Sequence, residues 1–102
     1  HAAAVAGMDG VLVEQYPAGI VELAPAAAEL TTLLSLAREG VTERLTAGSL
    51  KELVLAFESR TAYVRFLDAE LYCLILLEEQ GNLGKARLYA EQAAARLGQV
   101  FA

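Results

Sequence analysis

Two apolar stretches near the start of the chain have the composition of β-strands. Residues 8–16 (MDGVLVEQY) centre on three consecutive aliphatic side chains, and residues 20–23 (IVEL) form a shorter apolar run. Pro17, Ala18 and Gly19 separate the two stretches, and proline and glycine are frequent in turns. The pattern predicts a first strand over residues 8–16, a turn, and a short second strand over residues 20–23.

After Pro25 the spacing of the apolar positions becomes that of a helix. Proline is tolerated in the first turn of a helix, because its missing N–H would have no intrahelical partner there. Gly40 costs about 1 kcal/mol relative to alanine, so the helix is expected to end or bend near this residue. The apolar residues expected on the core-facing side are Leu30, Leu33, Leu34, Ala37, Val41 and Leu45.

Three further apolar stretches follow one another with very short connections. They are residues 50–58 (LKELVLAFE), 62–67 (AYVRFL) and 71–77 (LYCLILL). Connections this short join neighbouring strands as hairpins, so the three strands are expected to form an antiparallel meander. The stretch 71–77 is apolar throughout, which indicates a central strand covered on both faces.

A second helical pattern follows the last strand. Asn82 is a suitable N-cap residue, and apolar positions then recur at three- and four-residue steps. These positions are Leu83, Ala86, Ala90, Ala93, Leu97 and Val100. The order of elements predicts one α+β domain over residues 1–102, a five-stranded antiparallel sheet with helices packed on both faces.

Composition and charge narrow the kinds of partner to be expected. The 102 residues include 13 acidic and 8 basic side chains, a formal net charge of −5, and no stretch concentrates lysine or arginine. Nucleic-acid binding is therefore not expected. Hydrophobic residues make up 56% of the chain, but the longest run of large apolar residues is the seven at 71–77, too short for a membrane span. This surplus of apolar residues indicates a protein partner.

The single cysteine and the single histidine exclude several chemistries. Cys73 lies in the most apolar strand, so it is expected to fill the core, and it has no second cysteine with which to form an internal disulfide. With no histidine beyond His1, a Ser-His-Asp or Cys-His catalytic unit is not expected. We expect no catalytic residue, no cofactor and no metal site. No signal peptide or lipidation motif is visible, so the expected location is the cytoplasm.

The stretch EEQGNLGKARLYAEQ (residues 78–92) has the order strand, glycine turn, lysine and helix, which also occurs in phosphate-binding P-loops. A P-loop requires a glycine five residues before its second glycine, and a serine or threonine after the lysine. Glu79 and Ala86 occupy these two positions. A carboxylate repels phosphate, and alanine has no hydroxyl to bind Mg²⁺. A plain strand-to-helix connection is the favoured interpretation, so we expect no nucleotide to bind there.

The side of the first helix opposite the leucines carries mainly short side chains. The stripe consists of Ala28, Thr31, Thr32, Ser35, Glu39 and Thr42. It is either an ordinary solvent-exposed face or a contact with a second helix across a dimer axis, where short side chains let two backbones approach closely. Leu36 lies beside the stripe, and an apolar side chain off the core-facing side favours the contact. Arg38 is then a candidate charged contact.

The strand at residues 50–58 is a second candidate for contact with a partner. Leu53, Leu55 and Phe57 are expected to point to one face of the sheet, because side chains alternate along a strand. As the first strand of the meander, it can lie at the sheet edge, where an apolar strand tends to pair with another chain unless it is covered. A strand of a partner chain would cover it.

In order and lengths, these stretches resemble the roadblock / dynein light-chain domain family over nearly the whole chain. MDGVLVEQYPAGIVEL corresponds to the opening hairpin, and AAAELTTLLSLAREGV to the central helix. AGSLKELVLAFE, AYVRFL and LYCLILLEEQGNLGKAR correspond to the meander and the start of the last helix. The turn at residues 82–84 is similar to the Asn-x-Gly turn that opens the last helix in the family.

Two features depart from the family pattern. The family usually has a helix before its first strand, and residues 1–6 could supply only the end of it. We therefore expect that helix to be missing or truncated. The family's usual Asp-Gly turn between strands one and two is replaced here by Tyr16-Pro17-Ala18-Gly19.

The resemblance implies a roadblock/profilin-like sandwich and a non-enzymatic regulator of the bacterial small-GTPase type. Roadblock domains generally dimerise by extending their sheets across the two-fold axis and pairing their central helices. They serve as platforms for Ras-like small GTPases or for motor and scaffold subunits. A homodimer and a Ras-like small GTPase are therefore the expected partners.

Two alternatives stay open. One is a PAS-like small-molecule sensor, a class that needs convergent polar groups inside an apolar cavity. The other is a structural scaffold subunit with no GTPase partner. The scaffold would have the same fold as the regulator, so fold-level reasoning does not separate the two.

Overall fold

Five strands form one antiparallel sheet in the computed structural model, which describes residues 2–16, 23–78 and 82–101, with side chains up to residue 95. The strands are β1 (Ala2–Gly7), β2 (Leu12–Tyr16), β3 (Glu52–Ala56), β4 (Arg60–Phe66) and β5 (Leu71–Glu78). Their order across the sheet is β2-β1-β5-β4-β3, and every neighbouring pair is antiparallel. The predicted meander of β3, β4 and β5 is confirmed, with β5 at the centre of the sheet.

The prediction that residues 8–16 form the first strand is wrong, because the first strand is Ala2–Gly7 and only Leu12–Tyr16 of the predicted stretch form a strand, the second one. Ala2–Gly7 pairs with β2 on one side and with β5 on the other, so the interpretation of residues 1–6 as the end of a helix is wrong. Alanine favours helices in isolation, but long-range pairing overrides this weak preference. Ala2, Ala4 and Ala6 are buried, and their small side chains leave room for the helix that packs above them.

The turn of the first hairpin is Asp9-Gly10, so the expected replacement of the family's Asp-Gly turn is wrong. Residues 17–19 of the predicted turn lie outside the described residues. The N–H of Gly7 donates to the carbonyl of Val11 at 3.0 Å, and the Asp9 carboxylate accepts the N–H of Val11 at 3.0 Å. Gly10 has a φ of 85°, a conformation that glycine adopts without a Cβ clash. The predicted strand at 20–23 falls largely outside the described residues. Its last residue, Leu23, is buried at the N-cap of the following helix.

One long helical segment connects the hairpin to β3. It consists of α1 (Ala24–Leu36), a π-helical turn (Ala37–Val41) and α2 (Thr42–Leu45). Proline occupies the first turn of α1, as predicted. The helix continues through Gly40, which lies within the π-helical turn, and ends at Thr46 with a left-handed φ of 49°.

The core beneath α1 uses only part of the predicted helix face. Leu30 and Leu34 are buried as predicted, and Ala27 joins them one turn earlier. Leu33, Val41 and Leu45 are 45%, 52% and 65% exposed, so their assignment to the core is wrong. The residues of α1 that face the sheet are Ala27, Leu30, Thr31 and Leu34. Leu33 lies outside this row, so its side chain points away from the core. Helix α1 packs on the sheet face formed by alternate residues of all five strands.

Helix α3 (Leu83–Phe101) covers the opposite face of the sheet. Ala86 and Ala90 pack there against Tyr63 of β4 and Cys73 of β5, which confirms the predicted core role of the cysteine. The arrangement confirms an α+β sandwich with helices on both faces of a five-stranded antiparallel sheet. Within the described part of the chain, no helix combines the length and apolar character needed to cross a bilayer.

Candidate interaction surface

The outward side of α1 is centred on Leu36, whose side chain is 64% exposed. Ala28, Thr32 and Glu39 of the predicted stripe are exposed too, and Ser35 is half-buried. A partner could reach all of these positions. Their part in an interface stays a prediction.

Thr31 does not lie on this outward side, contrary to its assignment from the sequence. It is 9% exposed, and its Oγ1 lies 2.8 Å from the carbonyl oxygen of Ala27 and 2.9 Å from the hydroxyl oxygen of Tyr72. A buried hydroxyl is tolerated when it is hydrogen-bonded, and Thr31 has two partners. It belongs to the contact between α1 and β5.

Arg38 and Thr42 also turn toward the body of the protein, and both are half-buried. Arg38 Nη1 donates to the carbonyl of Ala69 at 3.0 Å, and its Cζ lies 5.0 Å from the centroid of the Phe66 ring. The Thr42 hydroxyl donates to the carbonyl of Ala37 at 2.9 Å. Arg38 follows Leu34 by one ordinary helical step of four residues and so lies on the same inward face. The extra residue of the π-helical turn then places Thr42, rather than Val41, toward the sheet.

Three exposed apolar residues join Leu36 on the outer surface, and the sequence pattern assigned all three to the core. Together, Leu33, Leu36, Val41 and Leu45 form what we call the apolar helix surface. Clustered exposed aliphatic side chains are characteristic of interaction sites. The excess of leucines over one helix face was a signal for this surface, and Gly40, where the helix was expected to end or bend, lies within the π-helical turn.

Strand β3 lies at the edge of the sheet, where it was expected, and among the described residues it pairs with β4 alone. Leu53 and Leu55 are half-buried and pack against the core under α1. Their side chains therefore contribute to the core and do not project outward from the sheet edge. Val54 points to the other face and is partly exposed. Phe57 is exposed just beyond the strand, where its N–H donates to the carbonyl of Arg60 at 2.8 Å.

A charged network fixes β3 and β4 to helix α3. Arg87 donates from Nη2 and Nε to Glu52 Oε1 at 2.7 and 3.0 Å, and the hydroxyl of Tyr63 donates to Glu52 Oε2 at 2.6 Å. These bonds, that of Arg87 above all, lower the pKa of Glu52, whereas burial and the nearby carboxylate raise the pKa of Tyr63. Arg65 and Glu91 add a pair at 3.6 Å. The network therefore attaches the edge strand β3 to α3, on the face of the sheet opposite α1.

The turn before α3 behaves as a helix cap. Asn82 Oδ1 accepts the N–H of Lys85 at 3.1 Å, so the predicted N-cap is confirmed. The N–H of Ala86 donates to the carbonyl of Asn82 at 3.2 Å, so two amides of this turn are already bonded. Gly81 lies outside the described residues. No group of three or more metal-binding side chains occurs in the described segments.

The fold defines a class. A five-stranded antiparallel sheet that begins with a hairpin and ends with a meander, with one long helix on one face and a last helix on the other, is a roadblock-type sandwich. The chain has this fold. No family model and no curated protein matches its sequence.

Solved structures share the fold at low sequence identity. A Roadblock/LC7 domain from Streptomyces avermitilis superposes with a TM-score of 0.86 at 14% identity, over 98% of this chain and 83% of the other. The gliding protein MglB from Thermus thermophilus gives 0.83 at 17%, over 98% and 76%. An MglB with a tetrameric arrangement gives 0.83 at 19%, with the same coverage. The expected resemblance to roadblock domains is confirmed in the fold.

Proposed function

We propose that this protein is a non-enzymatic, cytoplasmic regulator that forms a homodimer and binds a Ras-like small GTPase. The observation that carries the proposal is the apolar helix surface on a roadblock-type fold, together with a sheet edge that no strand of the same chain covers in the described residues. Both features expose groups that a second protein chain can bury.

The dimer is proposed to form first, through the apolar helix surface and the edge of β3. Two central helices packed across a two-fold axis would bury Leu36 near the centre, where hot-spot side chains usually lie. Pairing of two β3 strands would satisfy the N–H and C=O groups at the sheet edge. The tetrameric arrangement of one MglB of the same fold supports self-association in this class.

The GTPase is proposed to bind the composite surface that the paired helices present. Ala28, Thr32 and Glu39 are exposed beside the apolar helix surface and would border the two-fold axis. The same side chains cannot be buried both in the dimer and against the GTPase. The apolar helix surface is therefore assigned to the dimer, and the residues beside it to the GTPase. Arg38 turns away from this surface and is left out of it.

Regulation would follow from differential binding. If the dimer binds one nucleotide state of the GTPase more tightly than the other, it shifts the equilibrium of the GTPase switch by that difference in affinity. A tenfold difference corresponds to about 1.4 kcal/mol. No residue of this chain has to touch the nucleotide.

The test is binding of purified small GTPases from the source organism to the immobilised dimer, each loaded with GDP or with a non-hydrolysable GTP analogue. We expect at least one GTPase to bind with clearly different affinity in its two states, and Ala28→Arg, about two helical turns from Leu36, to weaken that binding without dissociating the dimer. Glu91→Arg on α3 is the matched surface control. If every GTPase fails to bind, or binds both states equally, the regulatory proposal is wrong and the scaffold alternative is favoured.

A further inference from the structure

A cavity of about 520 Å³ lies between the C-terminal half of the long helical segment, the loop before β3, and the turn between β4 and β5. Arg38, Ser49, Phe66 and Asp68 are among its lining residues. Its volume is in the range of small-ligand pockets. It lies apart from the apolar helix surface, because Arg38 and Thr42 turn inward where Leu36 turns outward.

The guanidinium of Arg38 is held in place inside this cavity. One edge donates to the carbonyl of Ala69 and one face lies over the Phe66 ring, so the side chain has already lost much of its rotational freedom. Binding of a ligand to Arg38 therefore costs less conformational entropy of this side chain. Arg38 lies within the π-helical turn, a type of irregularity that is frequent at functional sites.

Arg38 forms no ion pair with a carboxylate in the described part of the chain, where its contacts are the Ala69 carbonyl and the Phe66 ring. Arginine has five N–H donors in a planar fork, and one of them is used by Ala69. The remaining donors suit the two oxygens of a carboxylate. There is also space for a ligand beside Gly48, because no neighbouring atom lies within 4 Å of the position that a Cβ of this residue would occupy.

Asp68 determines which anion the cavity would accept. Its Oδ1 accepts the N–H groups of Glu70 and Leu71, both at 2.8 Å, so its carboxylate is fixed at the cavity wall. A fixed negative charge opposes a doubly charged phosphate more strongly than a singly charged carboxylate. Leu50 and the Phe66 ring supply an apolar wall for the remainder of the ligand.

We propose that this cavity binds a singly charged carboxylate attached to a small apolar or aromatic group, with Arg38 as the residue that recognises it. The carboxylate belongs either to a side chain of a partner protein or to a free carboxylic acid. The proposal does not rest on the GTPase or on dimer formation.

The test is an amide-resolved NMR titration of the full chain with three probes: benzoate, a blocked Phe-Glu dipeptide amide, and inorganic phosphate. We expect saturable shifts at Gly48, Ser49 and Ala69 with benzoate, with the dipeptide, or with both, and no saturation with phosphate. Saturation by the dipeptide alone assigns the site to a protein segment, and tighter binding of benzoate assigns it to a free acid.

Three variants decide the role of the arginine. Arg38→Met should weaken binding at least about tenfold, as expected for hydrogen bonds to a charged group. Arg44→Met removes an exposed arginine from the same helical segment and should change nothing. Asp68→Asn keeps the Oδ1 acceptor but removes the negative charge, so it should tighten binding of the carboxylate. This variant tests the proposal even if Arg38→Met does not fold. Linear, unsaturable shifts with the two carboxylate probes, or unchanged binding in both Arg38→Met and Asp68→Asn, would overturn it.

Discussion

The hydroxyl oxygen of Thr31 on α1 lies 2.9 Å from the hydroxyl oxygen of Tyr72 on β5, and both side chains are buried. The carbonyl oxygen of Ala27 lies within 2.9 Å of both hydroxyls, so three polar atoms meet where the first turns of α1 contact the centre of the sheet. Two hydroxyl protons serve three contacts, so two of the three can be hydrogen-bonded at one time. This cluster fixes which side of α1 faces the sheet.

The first prediction concerns this buried cluster. Tyr72→Phe should lower the free energy of unfolding by about 1–2 kcal/mol, because Thr31 loses one of its partners in a buried site. Thr31→Val should cost a similar amount. The double variant should cost less than the sum of the two, since the hydroxyls act as a pair. Urea denaturation measures all three variants. Tyr16→Phe, at an exposed tyrosine, is the control; strictly additive losses would show that the hydroxyls are not coupled.

The second prediction concerns acid stability. The pKa of Glu52 is lowered from its ordinary value of 4.5, chiefly by Arg87 and then by Tyr63. The folded state therefore binds this proton more weakly than the unfolded chain does. The stability that Glu52 contributes is full above pH 4.5 and is lost as the pH falls through the lower folded-state pKa.

Glu52→Gln should thus lower stability by about 1 kcal/mol at neutral pH and flatten the fall in stability below pH 4.5. Urea midpoints between pH 7 and pH 3 provide the measurement. Glu43→Gln, at an exposed glutamate of α2, is the matched control for the substitution itself. A Glu52→Gln profile that stays parallel to the wild type would show that this carboxylate does not contribute to acid sensitivity.

The third prediction tests the apolar helix surface. We expect light scattering at tens of micromolar to give twice the 10.8 kDa chain mass. Leu36→Asp should cost about 2 kcal/mol or more of association free energy, because a charge replaces a central apolar contact. Leu88→Asp replaces a similarly exposed leucine on α3 and should leave the dimer intact. A wild-type mass of one chain, or equal effects of the two variants, would count against this surface.

The fourth prediction tests the sheet edge. Val54→Lys places a charge on β3, where it should disfavour pairing with a second β3 and weaken the dimer. Val13→Lys places the same charge on β2, the opposite edge of the sheet, and should have no effect. Sedimentation velocity over a concentration series compares the two variants. Equal dissociation constants would remove β3 from the proposed interface.

The fifth prediction concerns the start of α3. Asn82→Ala should destabilise the protein by about 1 kcal/mol, because the N–H of Lys85 loses its side-chain acceptor. Asn82→Asp should restore most of that loss, since aspartate is an equally good N-cap residue. Thermal unfolding followed by circular dichroism distinguishes the variants. If alanine and aspartate are equivalent, the cap contributes little to stability.

The sequence by itself determined the features that depend on neighbouring residues. The short links after β3 and β4 allow only hairpins, so the meander and its antiparallel sense follow directly. The unbroken apolar run at 71–77 marked β5 as central, and Asn82 marked the start of α3. Order and length then sufficed for the α+β class and for the resemblance to roadblock domains, which the solved structures of the same fold support.

Only the tertiary structure decided which faces and turns the chain uses. The alanines at residues 2–6 become a strand because β2 and β5 pair with them on both sides, against their own helix propensity. The helix face that turns inward is set by contacts such as Thr31 to Tyr72, which are 41 residues apart and leave no local pattern. The π-helical turn then places Thr42 toward the sheet and leaves Val41 exposed. Periodicity in the sequence shows that a helix has an apolar face. This helical segment has leucines on more than one side, so the side that is buried is selected by its packing against residues distant in the sequence.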